Sequence, residues 1–298
     1  MNAQRTLRRS VSCAGIGLHS GKRVSLSIRP APAWAGIRFR RADLGGLEVP
    51  ATVQHVGGIN YATGLSRDAV HIDTVEHLLS ALVSLGIDNV LVELNSPEVP
   101  IMDGSAAPFV YLIHEAGVKT QSGARKYLKV LRPITMTRGD KRIALYPSDH
   151  FKVTYSIAYD HPLLRQQSRT IRVTEAVFID DIAPARTFTF LKEVEQLRQH
   201  GLALGGSLEN AVVIGETGVL NSALRFADEF VRHKILDAIG DLALLGHPVI
   251  GHLVAHRGGH GLHTAFAAQV LAERESWTLV DGVRADEFVA AAPVVADV

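Results

Sequence analysis

One pattern, met once in each half of the chain, narrows the fold more than any other. Glu76-His77-Leu78-Leu79 opens a run that ends at Gly86 and leads into the β-rich Val90 to Leu94. Arg232-His233-Lys234-Ile235 opens another that ends at Gly246 and leads into Val249 to Val254. A histidine near a helix start, a glycine stop and a strand therefore recur, which predicts two related units. Two short matches are thin support for a duplication on their own, so the surrounding periodicity has to carry the rest.

Val75, Leu78, Leu79, Leu82 and Leu85 follow helical spacing and Gly86 suits a helix C-terminus, so a helix is predicted over 74–85. A second is predicted over 105–117, ended by Gly117. Residues 24–29 alternate apolar and polar with period two, and 89–94 are β-rich, so both read as strands. The polar, glycine-containing segment 121–126 marks the domain boundary. Beyond it come strand-like runs at 127–135, 142–146 and 151–158, helices over 190–200 and 228–245, and a strand near 249–255. Strands followed by helices within each half argue for α+β. The expected fold is two similar domains, 1–125 and 126–298, each a mostly antiparallel sheet layered with helices, with the site between them.

At 298 residues each half is long enough to bury its own core. With 31 basic and 30 acidic residues there is no global bias toward nucleic acid or an anionic membrane, so any anionic ligand is held by local groups. The single cysteine, Cys13, excludes an intramolecular disulfide framework, and the cytoplasm is the expected compartment. Neither a signal-peptide run nor a stretch of roughly 18 to 20 apolar residues is present, so no stable membrane insertion is expected. A mean hydropathy of +0.13 is high for a soluble protein and suggests a hydrophobic groove.

On helix 228–245, His233, Asp237 and Asp241 drift only about 80° around the axis, so they share one face opposite Ile235, Ala238, Ile239 and Leu242. On helix 74–85, Glu76, His77, Ser80 and Ser84 lie opposite the leucine stripe, and two such faces can meet across a cleft. Plainer readings stand beside this one. Asp73-Thr74-Val75-Glu76 also fits a helix cap, and His233 with Asp237 fits an ordinary i,i+4 surface pair. In Arg257-Gly258-Gly259-His260-Gly261-Leu262, glycines leave a histidine accessible directly after a strand, although a simple turn has the same composition.

These segments belong to longer motifs. Gly15-Ile16-Gly17-Leu18-His19-Ser20-Gly21, Thr74-Val75-Glu76-His77-Leu78, the run Pro100 to Phe109, Ala185-Arg186-Thr187-Phe188, Leu204-Gly205-Gly206-Ser207 and Phe230 to Asp241 occur in order. With them the chain, from Arg5 to about Leu271, resembles the zinc-dependent UDP-3-O-acyl-N-acetylglucosamine deacetylases of lipid A synthesis. The resemblance implies that His77, His233 and Asp237 bind Zn²⁺, with Fe²⁺ as an alternative occupant in the cell, and leave one position open for water, as a catalytic zinc requires. It makes Glu76 the general base, His260 the general acid or oxyanion partner, Asp241 the group that orients and charges His260, and Thr187 a hydrogen-bond donor to the oxyanion.

It also implies that His19, Lys141, Lys234 and Arg257 lie near the diphosphate or uridine, with Tyr159 against uracil where phenylalanine is the familiar residue. Phe188, Val194, Leu197, Gly206, Ser207 and Val213 match an insert, around 186–215, that forms an acyl-chain passage. The implied activity is hydrolysis of the N-acetyl group of a UDP-linked 3-O-acylated glucosamine by a monomer whose partner is that small molecule. Two departures stand out. The family's Ser-Gly-His-Ala-Leu-Asn is here Gly258-Gly259-His260-Gly261-Leu262-His263, which makes His263 a decoy for a ligand and suggests a more mobile loop. Asn60 to Gly64 lacks the expected Met and Cys. The tail 272–298 carries no motif, and Ala290 to Val298 is expected to fray. A non-haem Fe(II) oxygenase and a non-catalytic nucleotide-sugar module are the rivals from other classes; neither needs both Glu76 and His260.

Overall fold

A computed structural model describes residues 3–58, 61–162, 164–221 and 223–281; the expectation for Ala290 to Val298 lies outside them. The first half runs β1 (Ala3–Leu7), β2 (Val11–Ile16), β3 (Arg23–Pro30), β4 (Ile37–Arg41), β5 (Glu48–Pro50), a ribbon of β6 (Val56–Gly58), β7 (Gly64–Arg67) and β8 (Val70–Ile72), then α1 (Glu76–Ser84), β9 (Val90–Leu94), α2 (Ala107–Ala116) and β10 (Val118–Ala124). The second half opens with β11 (Lys126–Val130), β12 (Ile134–Arg138), β13 (Lys141–Tyr146), β14 (Lys152–Ile157) and β15 (Gln167–Arg172). There follow the single turn α3 (Glu175–Val177), β16 (Phe188–Phe190), α4 (Leu191–Gln199), β17 (Val212–Ile214), α5 (Glu229–Leu242), β18 (Val249–Ile250), β19 (His252–His256), α6 (His260–Ala272) and β20 (Trp277–Asp281).

The two halves repeat one topology. One five-stranded sheet has the order β2-β3-β9-β4-β5 and the other β12-β13-β19-β14-β15. In each, every neighbouring pair is antiparallel except the one formed by the strand after the central helix, β9 on β4 and β19 on β14. The short echo read in the sequence is therefore the visible part of a matched set in which α1 corresponds to α5, β9 to β19 and α2 to α6. Alternation builds the sheets: Val24, Leu26 and Ile28 of β3, and Val153, Tyr155 and Ile157 of β14, turn inward between more exposed neighbours. Each unit carries an insertion at the same place, just before its central helix: the β6–β8 ribbon in the first, and β16-α4-β17 in the second.

α1 and α5 pack against each other, and a single apolar core runs through both halves. Their crossing is close because α5 carries Gly240, whose missing Cβ would occupy the space of the Glu76 carbonyl oxygen. The polar faces of both helices are consequently buried rather than solvated.

Four sequence expectations change. The run 127–135 is two strands in different sheets, separated at Leu131-Arg132-Pro133, where proline cannot continue a ladder. Helix 228–245 ends at Leu242 and tightens to a 3₁₀ turn before Gly246, which takes φ 76°. The segment from His260 onward is a helix, α6, and the tail contributes β20, antiparallel to β11.

Candidate metal centre and active site

Each site helix presents its functional residues for a local reason. α1 begins beside a left-handed residue, Thr74 (φ 59°), whose hydroxyl donates to the Glu98 carboxylate at 3.0 Å. Glu98 is buried and also accepts from the backbone N–H groups of His19 (2.9 Å) and Ser20 (2.8 Å), so one carboxylate ties the His19 turn to the start of α1. No side chain caps the helix, and Glu76 does not turn back on its amides; its Oε2 accepts from the Thr63 N–H at 3.0 Å. The capping alternative is thereby replaced. The surface-pair alternative falls too, because His233 and Asp237 are 2 % and 1 % exposed.

His77, His233 and Asp237 bring one potential ligand atom each within 4.8 Å of one another. Asp237 Oδ1 lies 3.2 Å from His233 Nε2 and 3.6 Å from His77 Nε2, and the two rings stand edge to face at 4.9 Å. His233 Nδ1 donates to the Ala185 carbonyl (3.0 Å), which leaves Nε2 with its lone pair toward Asp237. Burial lowers His233 to about 4, so it is neutral at pH 7. Burial opposes ionisation of Asp237, but the neighbouring His233 and Lys234 hold its carboxyl well below the usual range. Lys234 Nζ bonds Oδ2 at 2.6 Å, whereas Oδ1 is buried with no hydrogen-bond partner among the described residues. Two imidazoles and an orphaned carboxylate oxygen, facing one point, are the donor set a divalent cation completes.

On the other side stands His260, the first residue of α6. Its Nδ1 bonds Asp241 Oδ2 at 2.9 Å, and its Nε2 lies 4.0 Å from Glu76 Oε1 and 3.9 Å from Asp237 Oδ2. Burial alone would lower the imidazole, but Asp241 and Glu76 push it up to about 9. Burial likewise opposes the Asp241 charge, yet His260 and His263 draw that carboxyl down to about 2. Burial raises Glu76 above the ordinary carboxylate value. A carboxyl and an imidazole both raised above their ordinary values thus converge on a cluster that could hold a metal.

Thr63 is the residue sequence reasoning missed. Its N–H binds Glu76, and its hydroxyl donates to Asp241 Oδ1 and lies 3.2 Å from His260 Nδ1. A threonine contacting a residue 178 positions away leaves no local signal. His263, the decoy ligand, is engaged at both nitrogens: Nδ1 with Asp241 Oδ2 (2.8 Å) and Nε2 with the Tyr155 hydroxyl (2.9 Å). It stands behind Asp241, away from the His77 cluster. Asp241, His260 and His263 also converge tightly enough to hold a cation, but the atoms that would ligate it already bond one another.

A cleft of about 260 Å³ gathers Glu76, His77, His233, Asp237 and His260 with His19, Tyr159, Thr187, Phe188 and Lys234. Both ring nitrogens of His19 are buried with no hydrogen-bond partner among the described residues. Tyr159 faces Phe188 and Phe190 at 6.0 and 5.5 Å between ring centroids, an aromatic wall for which the Phe188-Thr189-Phe190 alternation was the signal. Other candidates lie outside the cleft lining. Arg257 pairs with Asp140 (3.1 Å) next to Lys141, at the start of β13. Val194 lines a separate recess on α4 with Leu191 and Arg198, while Leu197 is buried. Val213 sits on β17 opposite Thr189, and the Gly206-Ser207 loop follows Leu204 and Gly205, which bond the carbonyls of His19 and Leu18. A larger cavity of about 590 Å³, lined by Arg5, Arg125, Tyr127 and Arg172 among others, has no metal-ligating cluster among the described residues; chemistry rather than volume selects the smaller cleft.

A family model described as UDP-3-O-acyl N-acetylglycosamine deacetylase matches residues 4–272. The chain belongs to the UDP-3-O-acyl-N-acetylglucosamine deacetylase family. Proteins of that name from Pseudomonas entomophila (49 % identical, 94 % of each chain covered), Citrifermentans bemidjiense (48 %, 93 % of this chain and 92 % of the relative) and Geotalea uraniireducens (46 %, 99 % and 96 %) are among its relatives. This deacetylase-family chain is accordingly an enzyme of the hydrolase class, and its His/Asp cluster suits a metal. No helix among the described residues is long and apolar enough to cross a membrane.

Proposed function

We propose that this chain hydrolyses the N-acetyl group of UDP-3-O-(3-hydroxyacyl)-N-acetylglucosamine, releasing acetate and a free amine for lipid A synthesis. The observation that carries the reading is the orphaned Asp237 Oδ1 beside two histidines, flanked by Glu76 and by a His260–Asp241 pair. His77, His233 and Asp237 would hold Zn²⁺, or Fe²⁺ in the cell. Zn²⁺ supplies Lewis acidity toward the amide carbonyl and the attacking water. Glu76 accepts the proton of that water, and Thr63 N–H keeps its second oxygen fixed. His260, protonated at neutral pH, gives a proton from Nε2 to the departing nitrogen, with Thr187 donating to the carbonyl oxygen as it gains charge. His19, Lys141, Lys234, Arg257 and Tyr159 take the nucleotide end; Phe188, Val194, Leu197, Gly206, Ser207 and Val213 take the acyl chain. The chain divides at 125/126 into domains 1–125 and 126–298, with an acyl-binding insert around 186–215, and works as a cytoplasmic monomer.

Acetate release and metal content of the parent, Glu76→Ala, His260→Ala and His77→Ala test this. Glu76→Ala and His260→Ala are expected to keep the metal and lose at least about 10²-fold in kcat, whereas His77→Ala loses the metal. Near-parental turnover in both metal-loaded variants sinks the assignment.

A further inference from the structure

The loop and first turn of α6 depart from the deacetylase pattern at Gly258, Gly261 and His263, and one contact links the first and the last of these. Tyr155 and His263 are both fully buried and meet through the Tyr155 hydroxyl and His263 Nε2 at 2.9 Å. A Cβ on residue 258 would stand 2.6 Å from that hydroxyl and 2.8 Å from that nitrogen. Both atoms belong to enclosed, hydrogen-bonded side chains, so neither can yield cheaply. Glycine at 258 is thus what lets tyrosine and histidine meet.

The pair leads to the reacting groups. Asp241 Oδ2 accepts from His263 Nδ1 (2.8 Å) and from His260 Nδ1 (2.9 Å), while Oδ1 accepts from the Thr63 hydroxyl. An acceptor-only carboxylate makes His263 Nδ1 the donor, and His263 Nε2 then accepts from the Tyr155 hydroxyl. Every member of the chain is satisfied, and Asp241 is held from three sides. We propose that Gly258, His263 and Tyr155 form a buried brace behind Asp241 that fixes the orientation of His260, making His263 and Tyr155 positioning residues for proton delivery. The proposal rests on the reading of His260 as the acid. Neither residue lines the cleft, so the brace acts on turnover and not on substrate affinity.

The test measures kcat and KM of zinc-loaded variants, with metal content and thermal unfolding on the same preparations. Tyr155→Phe, which removes one oxygen, is expected to lower kcat about 3- to 10-fold with KM within about twofold. His263→Leu should cost more, and His263→Asn, whose amide can still donate to Asp241, should recover most of the loss. Gly258→Ser should lower kcat, or unfold the chain, in the parent. It should be tolerated, within about twofold, in a Tyr155→Phe/His263→Asn background that lacks both atoms a Cβ would meet. An equal cost of Gly258→Ser in the two backgrounds, an unchanged kcat in Tyr155→Phe, or kcat and KM moving together overturns the brace. His260→Ala is the control: if it retains activity, the reading of the acid fails; if it loses activity while the brace variants do not, the brace alone fails.

Discussion

Ionisation in this site is divided residue by residue, and the division predicts how activity responds to pH. His260 is raised to about 9 in the folded chain, above the ordinary histidine value, so its protonated form is present at neutral pH and is lost as pH rises through the folded value. A bound cation repels that proton, which puts the alkaline limb at or below about 9. Glu76 is raised above the usual carboxylate value by burial, so its working basic form is lost as pH falls through that raised value. The expected kcat profile is a bell, and Asp241→Asn should move its alkaline limb downward by removing the charge that holds the His260 proton. A flat profile from about pH 5 to 9, or an alkaline limb that stays put in Asp241→Asn, contradicts the pairing. At this scale the sequence was most legible where roles sit in contiguous strings, as with Glu76-His77 and His233 to Asp241. Thr63 and Tyr155 were not legible, because their partners come from distant parts of the chain.

Between elements, the decisive contact is the α1–α5 crossing. Gly240 lets α5 approach until its backbone meets the carbonyl of Glu76, and that approach sets His77 and Glu76 against His233 and Asp237. Gly240→Ala must part the helices, so it is expected to destabilise the fold by about 1–3 kcal/mol and to reduce acetate release by more than the unfolded fraction explains. Melting temperature and activity on one preparation check this; a variant unchanged in both shows that the crossing has slack. The helices with an apolar stripe, α1 and α5, were readable from spacing. α6 was not: Leu262, His263, Thr264, Phe266, Ala267 and Val270 are all buried, so it shows no clear polar face, and Gly258-Gly259 before it resembles a turn. β20 was missed because Trp277–Asp281 is short, covers one edge and has no sustained alternation to announce it.

For the whole molecule, duplication explains where the chemistry sits. Both units insert extra chain before the central helix, and both insertions reach the cleft: the first brings Tyr61 and Ala62, the second Thr187 and Phe188. His77 comes from the first unit, His233 and Asp237 from the second, so a cation held by all three would join the halves across a core that is already continuous. Binding to the native state alone stabilises it by about 2.7 kcal/mol when free metal is 100-fold above Kd. For a chain of this size that corresponds to a shift on the order of 5 °C. Chelation is therefore expected to lower the midpoint of one cooperative thermal transition, added Zn²⁺ to restore it, and His77→Ala to abolish the response. Calorimetry with variants from each half decides the matter: two transitions, only one of them moved by the chelator, mean that the halves unfold separately and that the metal belongs to one of them, whereas a single transition lowered by the chelator in the parent, and unresponsive in both His77→Ala and His233→Ala, means a cation bound by residues from both.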